Sequence, residues 1–526
     1  MGAQEAQIMK KTTRNIIIAA AAVAVLVGVF FLVQLIPSSN SGSTGPTYPT
    51  DENGEQYATD AKGNKIPSEK DKDGNILSAG VVELENKGPL KLKQIDVENE
   101  SGTFSILAET PKTTGSGDTD ATGTSSTKYT LVGFEDEALF SGQPEAIAND
   151  AANMTTTQII DITGKNPEEY GLDKPRAVVT ATFEDGSKST YKVGNAAPAE
   201  LGTYLQFGDD KAIYLVANDS VDSFLFSPLD LISKEITTAA QDEDNSEIKT
   251  LTLTGTNFPD KIVMEPNDDE TNDAYYKMTA PKTQPVNVTN GSSVTGAIRG
   301  LSADKVAAVN PSGKQLKTFG LDKPAAVAQA VYPDTTIKLS ASKADGDGNV
   351  YLMVSGKDIV YQIASSKVPW ATMDYDSLVY EYVSKPKLDF IGSVDFSASG
   401  KNYTFKVTKE EKKDDTTGST TTEYGVTCGK TKVKSSYFET FFDSLTSVQR
   451  DSSAGSLKAS GKPLLTVTYH YNNGKSDDTL KFYDAGSRKI LVEKNGSPDC
   501  VIFETYTNKI ISDLPTIAAG KRVDPS

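Results

Sequence analysis

Apolar and polar residues alternate in short runs along most of the chain, and Gly, Asn, Asp and Pro break the runs. Alternation puts every second side chain on one face, the pattern of half-buried strands. It begins at Leu90-Lys91-Leu92 and Ile95-Asp96-Val97, with Phe104-Ser105-Ile106 placed to pair with them and Tyr129-Thr130-Leu131-Val132 as the next strand. Residues 110–127 are polar and read as a loop tip. The period then changes, because Ile147, Ala151, Met154 and Gln158 recur at helical spacing. Strands resume at 177–183, turn at Asp185-Gly186, and continue through 191–193, 204–207 and 213–216 to a short helix over 221–226.

This order comes back. Residues 251–253, 262–264 and 275–278 open a second set; Val294, Ile298, Leu301 and Lys305 mark its helix; strands follow at 327–332, 337–339, 351–354 and 359–363. A third set opens at 394–396, 403–407 and 424–426 and carries the strongest helical stripe, Phe438, Phe441, Leu445 and Val448. Its meander runs through 465–471, the Asn473-Gly474 turn, 480–482, 490–492 and 501–503. Tyr129, Tyr276 and Tyr424 hold the same place in the three sets, 147 and 148 residues apart. Strands and helices segregated within each set predict an α+β fold: three tandem units of antiparallel sheet with a packed helix, over 89–240, 241–386 and a degenerate 387–514.

A hexapeptide marks the passage from helix to meander. Tyr170-Gly171-Leu172-Asp173-Lys174-Pro175 returns as Phe319-Gly320-Leu321-Asp322-Lys323-Pro324 and decays to Ala459-Ser460-Gly461-Lys462-Pro463. The glycine suits the left-handed position that closes a helical turn. The aromatic before it and the leucine after it can clasp over the core, and proline forces the chain to extend. Tyr170, Gly171, Leu172 and Pro175, with Phe319, Gly320, Leu321 and Pro324, are therefore expected to be structural. The competing reading is a ligand loop built on Asp173 and Lys174.

The aromatic-Gly-Leu-x-x-Pro signature, followed by a strand, an Asp-Gly hairpin and Val193-Gly194, resembles the bacterial domain family of unknown function DUF4340. The match is good over residues 90–383 and weak beyond. Members typically carry an N-terminal anchor, and many are encoded beside gliding-motility-type ABC transporters. The resemblance implies an extracytoplasmic companion of a transport system. It carries over no catalytic residue.

The ends of the chain differ from its middle. Lys10, Lys11 and Arg14 precede residues 16–36, which carry no charge and only Gln34 as a strongly polar group. Twenty-one helical residues span roughly 31 Å, a bilayer's hydrocarbon core. Residues 15–36 are thus expected to form an uncleaved transmembrane helix, with 1–14 in the cytoplasm and the bulk outside. Residues 37–88 read as a disordered stalk and 515–526 as a disordered tail. Asp-x-x-Gly recurs in the stalk at Asp51-Gly54, Asp60-Gly63 and Asp71-Gly74. Glu69, Asp71, Asp73 and Gly74 begin a calcium-loop pattern, but Gly80 stands where its closing glutamate belongs, so solvated turns are expected.

Charge narrows the function. With 53 basic and 71 acidic residues the chain carries −18 at neutral pH, which argues against nucleic acid as a partner. The single histidine, His470, sits among Leu465, Val467, Tyr469 and Tyr471 but faces the other way with Thr466 and Thr468, toward solvent. Cys428 and Cys500 allow one disulfide, although two separate thiols are the simpler reading. No phosphate loop, nucleophile elbow or zinc motif occurs, and carboxylate pairs such as Asp242/Asp244 and Glu410/Glu411 lie in charged runs. No catalytic, cofactor or metal residue is expected. The expected function is a non-enzymatic, membrane-anchored binding or assembly protein, with ABC transporter subunits as partners. A surface adhesin or wall-binding module is the alternative, and an extracytoplasmic hydrolase a more distant one.

Overall fold

The computed structural model describes residues 49–59, 65–70, 72–110, 127–413 and 420–525. The fold is α+β and dominated by antiparallel sheets. The largest are one of eight strands and two of nine.

All three follow one strand order. In the first sheet, Lys128–Leu131, Gly102–Glu109 and Leu92–Asn99 form one half. The other half is the meander Ala177–Phe183, Lys188–Ala196, Thr203–Phe207 and Ile213–Val216, with Gln158–Asp161 at its far edge. The halves join where Val97 pairs with Val179 and Ile95 with Ala181. The corresponding joins are Leu251 with Ala330 in the second sheet and Phe396 with Val467 in the third. Tyr129, Tyr276 and Tyr424 fall on corresponding strands.

Between the halves the chain must pass from one sheet edge to the other, and the helix does this. Gln143–Ala152 crosses the first sheet with Ile147, Ala148 and Ala151 buried, and the Tyr191 hydroxyl donates to the Ala151 carbonyl at 2.8 Å. The helix is shorter than the expected stripe. Met154 lies on the strand Asn153–Thr155 and Gln158 opens the edge strand. The β-branched run Thr155-Thr156-Thr157 favours extension there, and Glu83–Asn86 supplies a pairing partner. The second helix, Val288–Gly296, likewise ends before Ile298 and Leu301, which are buried in a glycine-broken turn. The third, Ser435–Thr446, buries Phe438, Phe441 and Leu445 as expected but ends before Val448, which is buried beyond it.

Two expectations are corrected. The described part of the stalk is folded: Asp51 Oδ1 accepts from the Asn53 and Glu55 amides at 3.0 Å each, and Gly54 turns the chain at φ +82°. Ser68–Lys70 pairs with Ile76–Ala79, and the Thr156 hydroxyl donates to the Gly80 carbonyl at 2.7 Å. Asp and Gly here supply turn geometry, so these segments form hairpins. The tail is also ordered. Glu504–Ala518 is a helix running through Pro515, and Ile510, Leu514, Ile517 and Val523 join the core of the third sheet. Their helical spacing outweighs the single proline. The expected anchor over 15–36 and most of the loop tip over 110–127 lie outside the described residues. Among the described residues, no helix is long and apolar enough to cross a membrane.

The core is not divided sheet by sheet. Buried apolar residues of the first and second sheets form one continuous cluster, and those of the third form another.

Candidate functional site

The hexapeptides serve the fold. Pro167–Tyr170 is a 3-10 turn closed by Gly171 at φ +71°, and the Leu172 amide donates to the Pro167 carbonyl at 2.9 Å. Leu172 is buried and Tyr170 stands edge-on to Tyr204, ring centres 4.8 Å apart. In the second motif Gly320 has φ +70°, the Leu321 amide donates to Leu316 at 2.8 Å, and Phe319 lies on Tyr351 at 4.6 Å. Gly461 keeps the positive φ, +78°, without a helix before it. Asp173, Lys174, Asp322 and Lys323 are exposed and converge on nothing. Gly194 completes the clasp, since a Cβ there would stand 2.3 Å from the Tyr170 carbonyl oxygen.

These contacts set an order of costs. Gly171→Val and Gly320→Val are each expected to cost about 1–3 kcal/mol through backbone strain. Gly194→Ala is expected to cost about as much, although its own backbone is ordinary, because the clash is with main chain. Asp173→Ala and Asp322→Ala should cost a few tenths of a kcal/mol. Urea denaturation of the five variants checks the order.

The sheets meet at two corresponding junctions. Leu139 bridges Ile232 and Glu235 bridges Ser302 at the first; Val286 bridges Val379 and Tyr382 bridges Gln449 at the second, each residue 147 positions after its counterpart. The Ala303 amide donates to Lys234 at 2.8 Å, and the Arg450 amide to Glu381 at 3.0 Å. Arg450 thus takes the place of Ala303. Val360 precedes Tyr361, which pairs with Leu352, and Asp499 precedes Cys500, which pairs with Val492. Asp499 therefore takes the place of Val360. Ala303 and Val360 are buried and apolar. Their replacements form a buried ion pair, Arg450 Nη1 to Asp499 Oδ2 at 2.8 Å, which Lys282 joins at 2.5 Å to Oδ1. Burial alone would raise the Asp499 carboxyl, but Arg450 and Lys282 outweigh it and hold it below the usual carboxylate range.

A cleft of about 380 Å³ opens at the second junction. Lys277, Lys282, Lys385, Arg450, Lys475 and Lys494 line it, against Asp268, Asp269, Asp478 and Asp499. Lys475 reaches across the junction to Asp269 at 2.7 Å and lies over the Tyr471 ring. Lys494 and Lys475 each stand 3.9 Å from Asp478, which also accepts from the Tyr471 hydroxyl at 2.9 Å and the Asn495 amide at 2.8 Å. The cleft at the first junction, about 600 Å³, has the opposite sign: Glu135, Asp136, Glu137, Glu235 and Asp358 face Lys357. No motif in the sequence pointed to either cleft. The 147-residue register, applied to charge as well as to apolar positions, would have shown Glu135 replaced by Lys282.

His470 is half-exposed beside Thr466 and Thr468, as its strand position requires. It is bridged by two carboxylates, Asp477 at Nδ1 (2.7 Å) and Asp395 at Nε2 (3.0 Å). Partial burial would lower its pKa, but the aspartates together raise it above the ordinary value. A raised folded pKa stabilises below the unfolded value, near 6.5, and that stabilisation is lost as pH rises through the folded pKa. His470→Asn is therefore expected to lower the melting temperature more at pH 5 than at pH 8. Solvent screening keeps the effect below about 1 kcal/mol. Thermal melts at the two pH values check it.

Cys428 and Cys500 are both free thiols, with five strands between them in the third sheet. That is too far for a disulfide. Burial pushes the Cys500 thiol up to about 12, so it is unreactive. Among the described residues no group of three or more His, Cys, Asp or Glu side chains could hold a metal ion.

Fold and sites together define a multi-sheet α+β protein whose sheets are joined by specific junctions. The chain belongs to the family described as a domain of unknown function, DUF4340, whose model matches residues 141–324 and again 277–462. No curated protein and no solved structure matches the chain. The family match departs from the extent expected from the motif: it omits the opening strands of the first sheet and takes in the opening half of the third. Each match runs through one inter-sheet junction and ends at a hexapeptide or its decayed form.

Proposed function

We propose that this chain is a membrane-anchored, extracytoplasmic, non-enzymatic binding or assembly protein, an accessory component of an ABC-type transport system. It is built from three copies of one unit, the third degenerate. The observation that carries this reading is the repeated junction. The same backbone bridges recur 147 residues apart, and two of them, Glu235–Ser302 and Tyr382–Gln449, each tie one unit to the next in the same way. Such a column suits holding partners at fixed separations outside a membrane. The uncharged run at 16–36 supports the anchor. Transporter association rests on the gene neighbourhoods typical of the family the motifs resemble, which is an association and not a mechanism.

The test is co-purification of the full chain from detergent-solubilised membranes of its own host. Recovery of transporter subunits, lost when 15–36 is replaced by a cleavable leader, is the expected result. Repeated purifications that return no transporter subunit would overturn the transport role.

A further inference from the structure

We propose that the cleft between the second and third sheets binds a small multivalent anion bearing phosphate or carboxylate groups, held by Lys282, Lys385 and Lys494 beside Tyr382 and Tyr471. The inference does not depend on a transport role.

Three observations converge on it. The first is the charge balance. Six cationic side chains line the cleft against four carboxylates. Asp273, just outside and paired with Lys385 at 3.2 Å, still leaves one positive charge over. The chain as a whole carries −18, so this excess runs against its composition. Positive charges gathered between low-dielectric walls repel one another unless an anion joins them.

The second is the comparison of junctions. At the corresponding positions of the first junction the fold carries buried apolar residues, Ala303 and Val360. A buried ion pair rarely holds two surfaces together better than well-packed apolar residues of similar size. Joining the sheets therefore does not require Arg450, Asp499 and Lys282. Cations that the junction does not need, placed on the wall of a cleft, fit ligand recognition.

The third is the character of the lining. Asp499 is shared by Lys282 and Arg450, and Asp478 is flanked at 3.9 Å by both Lys475 and Lys494. Two cations on one carboxylate leave ammonium donors for a further acceptor. Lys282 is the most exposed of these cations, with 42% of its side chain accessible, so an incoming anion meets it first. Tyr382 and Tyr471 also line the cleft and hold its lysines in place, Lys385 lying 4.3 Å over the first ring and Lys475 4.4 Å over the second. The volume suits a small organic anion and excludes a folded partner.

Isothermal titration of the full chain in detergent tests this, with inorganic phosphate, pyrophosphate and citrate as probes. At least one probe is expected to bind with a Kd below about 1 mM at low salt and to weaken as salt rises. The phosphate and citrate arms show which anionic group is preferred. Lys494→Gln and Lys282→Gln are each expected to weaken binding about tenfold, with probe-free melting close to wild type for at least one of them. Lys338→Gln, on an exposed strand position of the second sheet, should leave binding unchanged. Failure of all three probes to bind below about 10 mM would overturn the site. Equal losses in Lys338→Gln and the cleft variants would do the same, because they would mean diffuse attraction.

Discussion

Asp499→Val is expected to destabilise the contact between the second and third sheets by about 3–5 kcal/mol. The Asp499 side chain is 4% exposed and holds Arg450 and Lys282. Removing it leaves Arg450, itself 12% exposed, with an uncompensated buried charge. The paired change Arg450→Ala with Asp499→Val installs the residue types of the first junction, the buried apolar Ala303 and Val360. The pair should recover most of the loss and come out neutral to about 1–4 kcal/mol more stable than wild type. Acid adds a second check. The folded carboxyl is lowered, so its contribution is present above about pH 4 and is lost as pH falls through the folded value. The gap between wild type and Asp499→Val should therefore narrow as pH falls below about 4. Urea denaturation at pH 7 and through a series of pH values below about 4 measures both effects. If the pair is as unstable as the single variant, Ala303 and Val360 are not the counterparts of Arg450 and Asp499.

Trp370→Ala is expected to cost about 3–5 kcal/mol, the usual range for a large buried aromatic. Trp370 is fully buried, and its indole donates to the Ala297 carbonyl at 2.8 Å, tying the segment after the second sheet to the end of the crossing helix. Trp370→Phe keeps most of the packing but leaves that carbonyl without its donor, so it should cost about 1–2 kcal/mol. The loss should not stay within one sheet. Trp370 belongs to the cluster that runs through the first and second sheets, whereas the third has its own. Calorimetry should show Trp370→Ala lowering the transition of the first two sheets together, with the third nearly unmoved. A shift confined to the second sheet would mean the continuous cluster does not unfold as one unit. The same reasoning extends the reach of Gly171→Val, whose damage should pass into the second sheet.

Strand identity was readable because alternation is local: Leu465, Val467 and Tyr469 must share a face wherever the strand ends up, and they are buried together. The hexapeptide was readable for a similar reason. Positive φ at Gly171 and Gly320 follows from chemistry within a few residues. Element ends were less so. The first helix stops at Ala152 because Glu83–Asn86, distant in sequence, offers the next residues a strand partner. The chain from 515 on looked like a loose tail because Ile517 and Val523 have meaning only against the third core.

The sequence by itself determined most strands of the three large sheets, which face of each is apolar, that the pattern recurs, and which family the chain belongs to. Only the tertiary structure decided that the meander returns beside the opening strand, that two sheets share a core, and that the second junction is charged. Lys282 and Asp499 are 217 residues apart and meet at 2.5 Å. Periodicity is set by neighbours along the chain, while a junction is set by surfaces that meet only once the sheets have formed. A lysine on an exposed edge and one at the mouth of a cleft have the same local sequence signature, so the excess of positive charge becomes visible only in the assembled fold.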